Sequence, residues 1–164
     1  SAELYELTQT VTTAHGLPAY EVSNHARPGA ESQHNLTYWR YGDYAGIGAG
    51  AHGRLTMPQG KVATANERNP EAWLAKVAEH GHGMVETTPL ETSEQADELL
   101  LMGLRLREGM DLKRWQALSG RTLDAERVAF LEGHGFVQPM GPDRIRCTPK
   151  GMLVLDAVVA DLAS

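Results

Sequence analysis

Six residues, His34-Asn35-Leu36-Thr37-Tyr38-Trp39, bring an imidazole, an amide, a phenol and an indole into one short stretch. A neutral imidazole nitrogen can ligate a metal or haem iron. Tyr38 and Trp39 can stack on a flat macrocycle, and Asn35 can fix a propionate or a loop carbonyl. A plainer reading has His34 and Asn35 pinning a loop by hydrogen bonds while the aromatics fill core. The residue types alone favour that plainer reading. Directly after them comes Tyr44-Ala45-Gly46-Ile47-Gly48-Ala49-Gly50-Ala51-His52-Gly53, an apolar run built almost entirely of small residues. Alternate glycines remove the Cβ atoms and let a backbone approach a ligand or another strand.

Gly48 to Gly53 also matches G-x-G-x-x-G, the dinucleotide fingerprint. That fingerprint needs a following helix, whose N-terminus holds the pyrophosphate. Pro58 and Gly60 do not continue a helix, so a tightly packed strand is the better account. His80-Gly81-His82-Gly83 could be taken for a metal pair, but imidazoles and glycines at that spacing suit the end of a helix. His15, His25 and His134 stand beside glycines or in loops and are expected at the surface. Cys147 is the only cysteine, which excludes an internal disulfide and fits a reducing, cytoplasmic compartment. With Arg144 and Arg146 as its only local basic neighbours, it is expected to pack rather than react.

The length of 164 residues suits one ordinary domain or two small ones. Hydrophobic residues at 41% and charged ones at 22% place the chain among globular proteins rather than disordered ones. A net charge of −6 argues against nucleic acid as the main partner. No apolar run reaches membrane-spanning length. The chain starts at Ser1 without a Met or a leader pattern, and is read as a piece of a longer protein.

Periodicity supplies the elements. Leu4, Leu7, Val11 and Ala14 predict a helix over 3–15, stopped by Gly16 and Pro18. Residues 19–23 read as a short strand after it, the pairing from which parallel α/β sheets are built. A polar loop leads into His34, and residues 44–50 read as a second, buried strand. Leu55-Thr56 and residues 61–64 form a hairpin around Pro58-Gln59-Gly60. Asn69 caps a helix with Pro70 at its first position, ending near Gly81. A further helix follows Thr92, with Thr92 and Gln95 as its capping box. Asp111 caps the next, stapled by Met110 and Trp115, and another runs from Leu123 to Leu131. Residues 136–138 and 144–147 pair about a turn, and Thr148-Pro149 opens a last helix with Met152, Leu155, Val158, Val159 and Leu162 on one face. Three helices, a two-stranded wing and a closing helix predict a winged-helix-like domain. Its reading helix would carry Asp124, Glu126 and a single Arg127, too few cations for a DNA backbone, so intramolecular docking is favoured.

Taken together, Glu21-Val22-Ser23-Asn24-His25-Ala26-Arg27-Pro28-Gly29, His34-Asn35-x-x-Tyr38-Trp39 and Gly42-Asp43-Tyr44-x-Gly46-Ile47-Gly48-Ala49-Gly50-Ala51-His52-Gly53 closely resemble the oxygen-independent coproporphyrinogen III oxidase-like family. Within that radical S-adenosylmethionine family the match is to the haem chaperone branch. The resemblance continues through residues 96–162, including Thr148-Pro149-Lys150-Gly151. It implies an α/β fold. Residues 1–85 would be the last β/α segments of a partial TIM-type barrel with hairpin and helix, and residues 90–164 the C-terminal winged-helix-like domain. It implies haem binding with His34 as iron ligand and Asn35, Tyr38 and Trp39 as pocket residues. Gly48, Gly50, Ala51 and His52 would lie near S-adenosylmethionine. In the intact parent a Cys-x-x-x-Cys-x-x-Cys motif would hold a [4Fe-4S] cluster; this chain has no such motif, so catalysis by it alone is not expected. The partners implied are haem or porphyrin, a haem-accepting protein and the N-terminal half of the barrel. Exposed strand edges could also pair with a second copy. The resemblance leaves two functions, haem delivery or decarboxylation of coproporphyrinogen III propionates, beside a third reading of residues 90–164 as a non-catalytic docking module.

Overall fold

The computed structural model describes residues 2–163. It is a mixed α/β chain with two small antiparallel sheets, resolved into two compact units. One joins residues 2–41 to residues 95–163; the other is Gly42–Glu94.

In the first unit, α1 (Ala2–Ala14) ends as its glycine requires, with Gly16 at φ 75°. The strand predicted over 19–23 is absent. The chain instead turns back on itself: the Tyr20 amide donates to the Asn24 carbonyl at 3.1 Å and the Ala26 amide to the Pro18 carbonyl at 3.1 Å. Ser23-Asn24 is turn chemistry, and it overrides the apolar alternation of Ala19, Tyr20 and Val22. Only single antiparallel bridges remain, Ala19 to His25 and Glu21 to Leu106. The loop expected to lead into His34 gives way to a short helix, α2 (Gln33–Trp39).

The long apolar helix α4 (Thr92–Gly103) begins one residue earlier in its capping than expected. The Glu94 carboxylate accepts the Glu91 amide at 2.9 Å, a reach back from the first turn to the residue before the helix. Strand β4 (Met110–Asp111) and α5 (Leu112–Ser119) follow, with the Asp111 carboxylate accepting the Arg114 amide as predicted. Helix α6 (Ala125–Gly133) is capped by Asp124, and β5 (Val137–Pro139) pairs antiparallel with β6 (Arg144–Cys147). β4 completes that sheet on the other side of β6. The closing helix is broken into α7 (Pro149–Met152) and α8 (Leu155–Ala163), yet Met152, Leu155, Val158 and Leu162 all enter the core as their spacing demands. Leu99, Leu100, Leu104, Met110, Trp115, Val137 and Ile145 fill the rest of it.

In the second unit, β1 (His52–Met57) and β2 (Gly60–Asn66) form the expected hairpin, and β3 (Met84–Pro89) joins the free side of β2. Helix α3 (Pro70–His80) is capped by Asn69 and closed by Gly81 at φ 79°. Its Trp73 ring lies directly over Gly83, where any side chain would collide with the indole. The buried strand expected over 44–50 is a loop. Tyr44 bridges Arg54 once, then Gly48 at φ 104° and Gly50 at φ 70° turn the backbone out of strand geometry, leaving Ile47 87% exposed.

Candidate functional site

Helix α2 is only seven residues long, too short to persist in water without outside help. Ser32 caps its start, its hydroxyl accepting the Asn35 amide at 3.3 Å, and Leu36 buries its inner side. The spacing i, i+4 then sets His34 beside Tyr38 and Asn35 beside Trp39. The His34 and Tyr38 rings meet edge to face, centroids 4.6 Å apart at 84°. His34 is exposed, and among the described residues neither of its ring nitrogens makes a hydrogen bond. Loop pinning is therefore not what His34 does. Asn35 does pin, donating through Nδ2 to the Tyr20 hydroxyl at 3.1 Å. The Trp39 ring is half-buried with the Arg105 guanidinium 5.5 Å from its centre.

The end of α2 is held by residues that no local motif could reveal. Arg40 forms a two-pronged ion pair with Glu108, Nε and Nη2 each 2.8 Å from a carboxylate oxygen. Arg114 donates to the Arg40 carbonyl at 2.5 Å and to the Tyr41 carbonyl at 2.8 Å. Tyr41 is 3% exposed and sits at φ 54°, the left-handed region that a bulky residue rarely occupies. Arg144 extends the set to β6, donating to the Glu108 and Gly109 carbonyls at 2.9 and 2.6 Å. The partners of Arg40 and Tyr41 stand 68 to 74 positions away, so only the fold brings them together.

The Arg40 guanidinium, hydrogen-bonded to Glu108, holds that carboxyl below the usual glutamate range despite partial burial. A depressed carboxylate adds stability above its unfolded pKa, about 4.3, and that stability is lost as pH falls through the folded value. Glu108→Gln is expected to cost about 1 kcal/mol at pH 7, since the pair is partly solvent-screened. Urea melts of both proteins should differ at pH 7 and converge as pH falls through the folded value. A gap that persists in acid would mean that packing, not charge, sets the cost.

The glycine-rich residues belong to the second unit and divide into two kinds. Gly46 and Gly53 are the close-approach positions: a Cβ on Gly46 would stand 2.6 Å from the His52 carbonyl oxygen, and one on Gly53 2.5 Å from Thr64 Oγ1. Gly48 and Gly50 instead supply positive φ and have open space where a Cβ would go, apart from Arg68 atoms at 3.9–4.0 Å from Gly50. Asn66 holds this loop, its Nδ2 donating to the Gly46 and Gly48 carbonyls at 3.1 and 3.0 Å. Ala51 accepts the Asn66 amide at 2.9 Å, and His52 is exposed at the start of β1. A strand, not a helix, follows the G-x-G-x-x-G match. Gly48 and Trp73 line one cavity of about 340 Å3 in this unit.

His80 and His82 are exposed with ring centres 6.4 Å apart, and no group of three metal-type side chains occurs among the described residues. His25 departs from expectation by being half-buried, 3.3 Å from Gln9 Oε1. Cys147 is buried and its thiol is pushed up to about 12 by that burial, as packing requires. A [4Fe-4S] cluster takes several thiolates, and this one buried cysteine does not fit it. No helix among the described residues is long and apolar enough to cross a membrane.

The family model described as HemN C-terminal domain matches residues 90–154. Radical S-adenosyl methionine domain-containing protein 1, mitochondrial, of Bos taurus is 37% identical over 175 residues, covering 100% of this chain and 39% of its own length. The heme chaperone HemW of Bacillus subtilis is 41% identical over 123 residues, 75% of this chain and 31% of that protein. HemW of Escherichia coli is 34% identical over 160 residues, 96% and 41% respectively. This chain thus spans 31% to 41% of the length of these relatives. Among solved structures, coproporphyrinogen III oxidase (HemN) from Escherichia coli, a radical SAM enzyme by its description, superposes with a TM-score of 0.67. That match covers 97% of this chain and 40% of the other at 17% identity, a likeness of fold alone.

Proposed function

We propose that this chain, which belongs to the HemN-like family of radical S-adenosylmethionine proteins, serves in haem binding and delivery, with haem as cargo. The observation that carries the reading is the exposed His34 ring, free of hydrogen bonds among the described residues and backed edge-on by Tyr38. An imidazole so placed can offer a neutral nitrogen to iron, while the Tyr38 ring limits its rotation. Asn35 is committed to Tyr20 and so steadies the helix, and Trp39 joins the helix to Arg105. Haem added to the chain should bind saturably with a shifted Soret band; a merely linear rise in absorbance would overturn the reading.

In this account residues 90–164 form the winged-helix-like domain, supported by the succession α4, α5, α6, the β5–β6 hairpin and the closing pair α7 and α8. Residues 1–85 are the terminal segments of a partial barrel. Gly48, Gly50, Ala51 and His52 lie on its cofactor side, a reading supported by the open space at Gly48. Transfer to a haem-accepting protein belongs to the same reading, and so does a cytoplasmic setting, although several relatives are named as mitochondrial. Oxidative decarboxylation of coproporphyrinogen III is the rival function. It is supported by the fold shared with the oxidase, and the intact His34-Asn35-x-x-Tyr38-Trp39 run weighs for delivery.

Radical chemistry would require a cluster that this chain's single thiol does not fit. After iron–sulfur reconstitution the isolated chain is expected to yield no 5′-deoxyadenosine from S-adenosylmethionine. Its detection by chromatography would sink that expectation.

A further inference from the structure

A cavity of about 870 Å3 opens in the first unit beside α1, outside the motif helix and its clamp. Its walls are largely carbon, supplied by Ala14, Pro18, Ala19, Pro149 and Leu153. Arg107 lies in that wall, half-buried, and its guanidinium is poorly satisfied. Nε is buried with no acceptor. Nη2 reaches only Gln9 Oε1, at 3.4 Å, an oxygen already 3.3 Å from His25. Among the described residues Nη1 makes no hydrogen bond and no carboxylate stands within ion-pair distance. Glu21 does not fill the gap: its Oε1 accepts from the Ser23 amide and hydroxyl, and its buried Oε2 has no partner. Tyr5, on the same wall, has a buried hydroxyl with no partner either. Burial raises the Tyr5 pKa although the neighbouring Arg107 guanidinium pulls it the other way, so the two groups stand side by side on the wall.

A partly buried guanidinium without an anion is unfavourable, and its planar fork matches a carboxylate. We propose that this cavity binds a carboxylate carried on an apolar body, with the guanidinium of Arg107 and the Tyr5 hydroxyl receiving the carboxylate and the carbon walls receiving the body. The apolar stripe of α1, exposed at Leu4, Leu7 and Val11, lies on another side of the helix from Tyr5 and Gln9. A partner covering that stripe therefore need not close the cavity. A bare inorganic anion would leave the apolar walls unfilled, so the body is part of the recognition.

Octanoate is the probe, titrated calorimetrically into the 164-residue chain beside octanol and inorganic phosphate. Octanoate should bind saturably at one site, at least tenfold tighter than either control. Arg107→Gln should weaken it at least tenfold and Tyr5→Phe by a smaller factor, with circular dichroism and thermal melts confirming the fold. Leu153→Trp, at a position 39% exposed, should fill the cavity and abolish binding without disturbing Arg107. Equal affinity for octanol, unchanged binding in a folded Arg107→Gln, or no saturable heat would overturn the proposal. Should Arg107→Gln fail to fold, retained binding in Leu153→Trp would overturn it equally.

Discussion

Replacing His34 by alanine is expected to erase the haem-induced Soret shift and to weaken haem binding roughly a hundredfold, about 2.7 kcal/mol. The expectation rests on the ring's freedom. His34 is exposed and carries no hydrogen bond among the described residues, so its loss should leave the fold almost untouched. The mutant should melt within about 0.5 kcal/mol of the parent, which separates a missing ligand from a collapsed helix. Added imidazole should restore part of the spectral shift, because it replaces the ligand and nothing else. Tyr38→Phe keeps the edge-to-face partner of His34 and should bind haem nearly as well as the parent. A folded His34→Ala protein that binds haem with unchanged spectrum would remove His34 from the iron and with it the haem reading of this chain.

Gly151→Ala should have the largest effect on stability. Gly151 is buried in α7, and an added methyl would be driven into the Phe136 carbonyl. That carbonyl belongs to the backbone where the β5–β6 hairpin begins, and it accepts the Thr148 amide at 2.9 Å. The Thr148 hydroxyl, which accepts the Gly151 amide at 3.0 Å, also donates to the Gly135 carbonyl. No flexible side-chain end is available to give way. A cost of about 3 kcal/mol is expected, against less than 1 kcal/mol for Gly133→Ala, where a Cβ would meet nothing. Denaturant midpoints of the two variants would check it; equal midpoints would show that α7 shifts freely against the hairpin.

Much of the first unit could be read from local patterns because local physics decides it. The Asp111 cap, the split face of Met152, Leu155, Val158 and Leu162, and the β5–β6 turn all depend on residues within about ten positions of one another. The failures have the opposite character. Tyr20 and Val22 look like strand residues, yet Ser23-Asn24 folds the segment back before it can pair. Residues 44–50 are apolar enough for a buried strand, but positive φ at Gly48 and Gly50 breaks the pleat. The chemistry-bearing side chains of α2 were visible as residue types. Arg114, Glu108 and Asn66, which fix the ends of α2 and the glycine loop, act across long sequence separations and left no trace in either period. Arg107 was hidden for the same reason.

The lock on Tyr41 has a consequence for the order in which the protein is made. Helix α2 is too short to stand alone, and its last carbonyls are held by a side chain synthesised about seventy residues later. At typical elongation rates that interval is on the order of 4 to 15 seconds. During it His34 has already been translated, but the helix that aims it has no fixed end. On a ribosome, the end of α2 is thus fixed only after Arg114 has emerged and packed.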